Sequence, residues 1–206
     1  DLGMGEGQVE AMRRLAHSTG GLVLVTGPTG AGKTTTLYAI LHELDTRRRN
    51  VVTLEDPIEV DVRHITQGQV NRAAGFGFAS GLRSILRQDP DVILVGEMRD
   101  RETAEIALQA SLTGHLVLST LHTSSAEETI TRLVDIGLAP WLVAHALSGI
   151  VAQRLLRVCC PSCVSPVDEA TLAPLIARAG SDLRADRALV GSVGCPDCLD
   201  TGFRGR

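Results

Sequence analysis

Aromatic side chains make up only 2% of this 206-residue sequence: three phenylalanines, one tyrosine and one tryptophan. A folded core must therefore rest on Leu, Val, Ile and Ala. Excess basic charge is also lacking, since the formal net charge is −4, which argues against a dedicated nucleic-acid binder. No apolar run approaches the roughly 20 residues needed to span a bilayer. The chain starts at Asp1 without a signal peptide, so it reads as a cytosolic or peripheral protein and as a fragment of something longer. Internal repeats and low-complexity tracts are absent. Cysteine is missing until residue 159, after which five occur. In a cytosolic setting they point to metal binding or redox chemistry before disulfides. What remains is a 44% hydrophobic composition, that of a soluble globular domain with room for one core and a small appendage.

Gly21–Thr26 is a short apolar run entering a glycine-rich turn, and it reads as a buried parallel strand. Lys33–Leu44 has helical spacing, with Leu37, Ile40, Leu41 and Leu44 on one face. Further strands are predicted at Val51–Leu54, Val92–Val95 and Leu116–Ser119. A helix is expected at Leu82–Arg87, before Pro90. Asp100 caps another that runs to Leu112 and stops near Gly114. Ser125 and Glu128 form a capping box for a helix ending near Gly137. Strands alternating with helices predict an α/β fold with a mostly parallel sheet over residues 1–157. Beyond, residues 158–206 change texture: prolines recur, and apolar periodicity is weak outside 172–176. This is read as a small separate module. The Arg47-Arg48-Arg49 run is expected to complement a helix dipole and stay solvated.

Residues 27–34 read GPTGAGKT, which matches the phosphate-loop pattern G-x-x-x-x-G-K-[ST] at every fixed position. Glycines at 27, 30 and 32 let backbone N–H groups converge on a phosphate, and the following helix offers its positive end. The candidate nucleotide cradle is Gly27, Pro28, Thr29, Gly30, Ala31, Gly32, Lys33, Thr34 and Thr35. Lys33 is placed on the β/γ-phosphates and the Thr34 hydroxyl on Mg²⁺. Glu97 falls just past the Val92–Val95 strand, at the end where open α/β sheets bind ligands. It can polarise the attacking water or hold a magnesium-bound water. Gly96 stands where the usual pattern has Asp, which leaves Glu97 most of the acidic work. Glu55, Asp56 and Glu59 follow the second strand and face the same rim. His115 and His122 flank the fourth strand, as phosphate sensors or as structural residues.

Cys160-x-x-Cys163 and Cys195-x-x-Cys198 supply two thiolate pairs, with Pro161 and Pro196 repeating the same knuckle. Four sulfurs complete a tetrahedral Zn²⁺ site with no open position, hence structural. Cys159 falls outside both pairs and reads as an inert thiol.

Together LVTGPTGAGKTTTLY, TLEDPIE, LRSILRQDPDVILVGEMRDRETAEIALQASLTGHLVLSTLHT, QRLLRVCCPSC and GCPDCLDTGFRGR resemble the ATPases of type II secretion and type IV pilus assembly. The resemblance covers nearly the whole chain. It implies a RecA-like core, acting as a hexamer on the cytoplasmic face of the inner membrane with membrane components of the machine. It places catalytic acids at Glu55 and Glu97, histidines at His115 and His122, and arginines assisting at or between subunit active sites at Arg83, Arg87 and Arg99. It also implies a preceding domain before Asp1 and more chain after Arg206, so the fragment is expected to bind nucleotide but turn over poorly. ATP, Mg²⁺ and Zn²⁺ are the expected cofactors, and no nucleic acid is expected as partner. A zinc-knuckle nucleic-acid translocase is the main alternative, disfavoured because the knuckle has few cations and almost no rings for base stacking. A nucleotide-gated module without turnover is the other. Secretion and pilus assembly stay undivided.

Overall fold

The computed structural model describes residues 2–168, 170, 174 and 190–206. It divides into two compact units, Asp1–Arg154 and Leu155–Arg206.

In the first unit the uniformly apolar runs become the middle of a sheet. Strands β1 (Gly21–Thr26), β2 (Val51–Glu55), β4 (Val92–Val95) and β5 (Leu116–Leu121) are buried at every residue. Each such Leu, Val or Ile contributes about 1.5–3 kcal/mol by leaving water. Two further strands, β3 (Thr66–Gln69) and β6 (Leu147–Ala152), close the edges. The order is β3-β2-β4-β5-β1-β6, and every neighbouring pair runs parallel. All six C-terminal ends therefore share one rim.

Helices cover both faces, as parallel strands require. Helices α1 (Glu6–Ala16) and α2 (Lys33–Glu43) lie on one side, where Val23, Val25, Leu94 and Leu118 meet Ala16, Leu37, Ile40, Leu41 and the following Leu44. On the other side are α3 (Phe78–Ile85), α4 (Arg101–Leu112), α5 (Ala126–Asp135) and α6 (Pro140–Ala146). Their Leu82, Leu108, Leu133 and Val143 pack on Leu22, Leu54, Ile93 and Val117. The predicted caps form: Asp100 accepts from the Thr103 N–H at 2.8 Å, and Ser125 from that of Glu128 at 3.2 Å. Helix α3 begins four residues ahead of the expected Leu82, because Phe78 joins Leu82 and Ile85 in the core.

Arg49 departs from the solvated-run expectation. Its guanidinium donates to the carbonyls of Ala16 (3.1 Å) and Ser18 (3.2 Å), closing the exposed end of α1 rather than of its own helix.

The second unit contains an antiparallel pair, β7 (Val164–Pro166) with β8 (Val190–Ser192), and a short 3-10 turn at Pro196–Cys198. The apolar stretch 172–176 lies outside the described residues except for Pro174. Among the described residues no helix is long and apolar enough to cross a membrane.

Candidate functional site

The phosphate loop sits where β1 ends and α2 begins. Gly30 (φ 75°) and Gly32 (φ 82°) hold left-handed conformations, which are open to glycine at no steric cost. Gly27 is needed for a different reason: a Cβ there would lie 2.3 Å from the Gln153 carbonyl oxygen. Gln153, just past β6, also braces the loop with its side chain. It donates to the Ala31 carbonyl and accepts from the Thr36 hydroxyl, both at 2.6 Å.

Strand order explains why distant residues meet here. β5 separates β1 from β4, so the loop and the end of β4 stand about 10 Å apart. The end of β5 fills the gap with His122. Lys33 Nζ donates to the carbonyls of Gly27 (2.8 Å) and Pro28 (3.1 Å) and lies 3.4 Å from His122 Nδ1. On the other side His122 Nε2 is 3.6 Å from Glu97 Oε2, and Glu97 Oε1 is 2.6 Å from Arg99 Nη2. With Lys33 donating to Nδ1, the tautomer that fits this network carries its proton on Nε2, facing the carboxylate. The result is a polar row with a cation at each end: Lys33, His122, Glu97, Arg99. Burial pulls the Lys33 ammonium below its usual range, partly offset by Glu97, while the hydrogen bond from Arg99 to Glu97 raises the guanidinium further.

A cavity of about 360 Å³ opens over this row, lined by residues 29–35 and by Tyr38, Glu55, Glu59, Glu97, Arg99 and His122 among others. Gly27 and Pro28 stand behind it as acceptors for Lys33. Glu55 is 3% exposed and held by three donors: Tyr38 Oη, Thr53 Oγ1 (2.6 Å) and Gln67 Nε2 (3.1 Å). Burial, and then the bond to Glu55, pushes the Tyr38 phenol up to about 12. Glu59 accepts from the Thr34 hydroxyl at 3.4 Å, and Asp56 pairs with Arg72 at 2.9 Å.

Three of the expected residues lie away from this cavity. His115 precedes β5, so six residues of strand, about 20 Å, separate it from the rim. There it bonds the Ala110 carbonyl at 2.9 Å. The two histidines mark opposite ends of one strand, and a parallel sheet has only one ligand rim. Arg83 pairs with Glu102 at 2.7 Å and, with Arg99, lines a neighbouring groove. Arg87 bonds Ser84 Oγ at 3.4 Å.

Sequence reasoning missed Tyr38, Gln67, Gln153 and the buried pair Thr26 and Thr123. The hydroxyls of that pair bond each other, and Thr26 Oγ1 also accepts from the Thr123 N–H at 3.1 Å, tying the end of β1 to the segment after His122. Only Tyr38 had a signal, as a polar-tipped ring on the buried face of the loop's helix.

In the second unit Cys160, Cys163, Cys195 and Cys198 bring their sulfurs within 4.8 Å of one another. The Cys160–Cys195 and Cys163–Cys198 separations are 3.9 Å, and Cys195–Cys198 is 3.8 Å. A tetrahedron with Zn–S bonds of about 2.3 Å has edges of about 3.8 Å, so the donor set fits zinc. Burial opposes a thiolate at Cys198, but N–H donors from Cys195 and Gly202, each 3.2 Å away, outweigh it and bring that thiol down to about 7. Cys159 stands outside the cluster, half-buried and bridged to Phe203.

Residues 1–206 match the family described as Type II/IV secretion system protein. The type II secretion system protein E of Pseudomonas aeruginosa is 56% identical over the whole chain, and the type II secretion system ATPase E of Vibrio cholerae is 51% identical. The chain spans 40% of the length of each of these relatives. Among solved structures, the pilus retraction motor PilT with bound ADP matches at a TM-score of 0.68 and 43% identity, over 76% of this chain and 47% of that one. The family match takes in both the parallel sheet with its phosphate loop and the four-cysteine unit, and the chain belongs to the type II/IV secretion system protein family.

Proposed function

We propose that this chain is the motor core of an ATPase that powers type II protein secretion, by pseudopilus assembly, or type IV pilus assembly. The observation that carries the reading is the row Lys33, His122, Glu97 and Arg99, laid across the ends of three adjacent parallel strands at a phosphate loop.

In this reading residues 1–157 form the RecA-like ATPase core. The amides of residues 27–35 enclose the β- and γ-phosphates. Lys33 exchanges the Gly27 and Pro28 carbonyls for phosphate oxygens. Thr34, with the acids beside it, holds Mg²⁺, which when bound neutralises charge developing on the phosphates. Glu97 accepts the proton of the attacking water as the bond between the β- and γ-phosphates breaks and ADP leaves. His122 couples the γ-phosphate lysine to that carboxylate, and so can sense whether the phosphate is present. Arg99 adds positive charge at the same rim. Arg83 and Arg87, pointing away from the cavity, are assigned to a neighbouring subunit's site in a hexamer, and His115 to structure or the same interface.

Residues 158–206 form the metal-binding module, with zinc on Cys160, Cys163, Cys195 and Cys198. The assembly works at the cytoplasmic face of the inner membrane. The net charge of −4 disfavours a polyanion such as nucleic acid as cargo. Phosphate release from ATP by the full-length protein, abolished in Lys33→Ala, is the expected result; equal release by both proteins would refute the reading.

A further inference from the structure

Glu55 lies at the cavity but differs from Glu97 in its surroundings. Glu97 meets two half-exposed side chains, Arg99 and His122. Glu55 is buried and meets three uncharged donors, each fixed by a second contact. Thr53 lies on the same strand, β2. Gln67 is locked at both ends, donating also to the Val60 carbonyl (3.0 Å) and accepting from the Val62 N–H (2.7 Å). Tyr38 is 7% exposed, with its ring in the core beside Leu37 and Leu41, and the backbone amides of Glu59 and Val60 bear on its phenol oxygen.

A carboxylate offers about four lone-pair directions. Three donors leave about one for the cavity, so Glu55 has little freedom to turn towards or away from a ligand. The three anchors also differ in reach. Thr53 and Gln67 belong to the sheet that carries Glu55 itself. Tyr38 belongs to α2, whose first residues are Lys33 and Thr34. It sits five residues along from Lys33, one and a half turns, on the helix that presents the phosphate-binding groups.

We infer that Tyr38 is a positioning residue for the ATPase reaction: its hydroxyl fixes the Glu55 carboxylate in register with the phosphate loop, so that the acid of β2 and the cation of α2 act on one nucleotide as a rigid pair. The inference rests on the ATPase reading above. Tyr38 itself needs no contact with ATP, since it acts through Glu55 alone. A group held this way lowers the barrier by preorganisation, with little effect on ground-state binding.

The test is a double-mutant cycle in the full-length protein, using Tyr38→Phe, which keeps the ring, and Glu55→Gln. Phosphate release and fluorescent-nucleotide affinity are read for each, with a thermal melt to confirm folding. Tyr38→Phe is expected to lower kcat about tenfold and leave KM within about twofold, the scale of one lost hydrogen bond to a charged group. In the Glu55→Gln background the same change should cost less than about twofold. An unchanged rate in Tyr38→Phe overturns the inference, as does a loss confined to KM. A tenfold loss that persists in the Glu55→Gln background overturns it too, because Tyr38 would then act elsewhere. Absence of any Lys33-dependent turnover in the unaltered protein would instead remove the ATPase reading, and this inference with it.

Discussion

Stripping the metal from the four-cysteine cluster should unfold the second unit and spare the first. Among the described residues beyond Arg154, the buried apolar side chains are Cys160 and Cys198, both cluster members. Leu156, Val193 and Leu199 are each at least 80% exposed. At about 1.5–3 kcal/mol per fully buried side chain, the described residues of this unit supply almost no hydrophobic stabilisation outside the cluster. A structural zinc site supplies on the order of 10 kcal/mol, so the metal must dominate its folding. The first unit differs, with four strands buried at every residue between two helical layers. Elemental analysis of freshly purified protein should give one zinc per chain. After chelation, hydrogen exchange should rise to the unprotected rate at residues 195–203 and stay slow in β1, β4 and β5. Cys198→Ser should reproduce the change, and Cys159→Ser should not. Protein that lacks zinc, or that keeps protection at 195–203 without it, would refute the reasoning.

Other consequences follow from single contacts. Gly27→Ala would press a methyl group onto the Gln153 carbonyl at 2.3 Å. It should cost about 1–3 kcal/mol as overpacking, lower Tm by several degrees and weaken nucleotide binding, so an unchanged melt would contradict the geometry. Tyr38 is the only tyrosine in the chain, so phenolate absorbance reports it alone. Folded, it should titrate near 12, against about 10 when unfolded. The folded state then keeps a proton that the unfolded state has lost. Stability from this group is complete below about pH 10 and declines as pH rises towards 12. Absorbance midpoints that coincide in buffer and in urea would rule this out. If Arg83 or Arg87 serves a neighbouring site, mixing its Ala variant with Lys33→Ala should restore part of the lost turnover; no rescue at any ratio would exclude action between subunits.

The residues with one-dimensional signals were legible. The loop GPTGAGKT, the apolar runs of β1, β2, β4 and β5, and the caps Asp100 and Ser125 state their structure locally. Strand β3 escaped because Thr-Gln-Gly-Gln is polar and lies at a half-exposed edge, where hydrophobic patterning carries little information. Strand β6 is also an edge, with half-buried rather than continuous burial. Glu97 could be placed from its position after β4, but its row with His122 and Lys33 depends on strand order, which the sequence does not state. The same blindness hid Gln153, whose partners lie over a hundred residues away. It also let His115 stand beside His122, since a strand has two ends and only one reaches the rim. Cysteine spacing, by contrast, singled out the four sulfurs that come together, without any knowledge of the fold between them.

The central claim is that the row over the phosphate loop separates binding from chemistry. In the proposed mechanism Lys33 faces the phosphates of the bound nucleotide, whereas Glu97 acts on the attacking water. Fluorescent-nucleotide titration and phosphate release should therefore be measured side by side for Lys33→Ala and Glu97→Gln in the full-length protein. Lys33→Ala should lose affinity. Glu97→Gln should keep affinity within about threefold and lose turnover by a hundredfold or more, on the scale of general-base catalysis. Equal loss of affinity in both variants, or normal turnover in Glu97→Gln, would contradict the account.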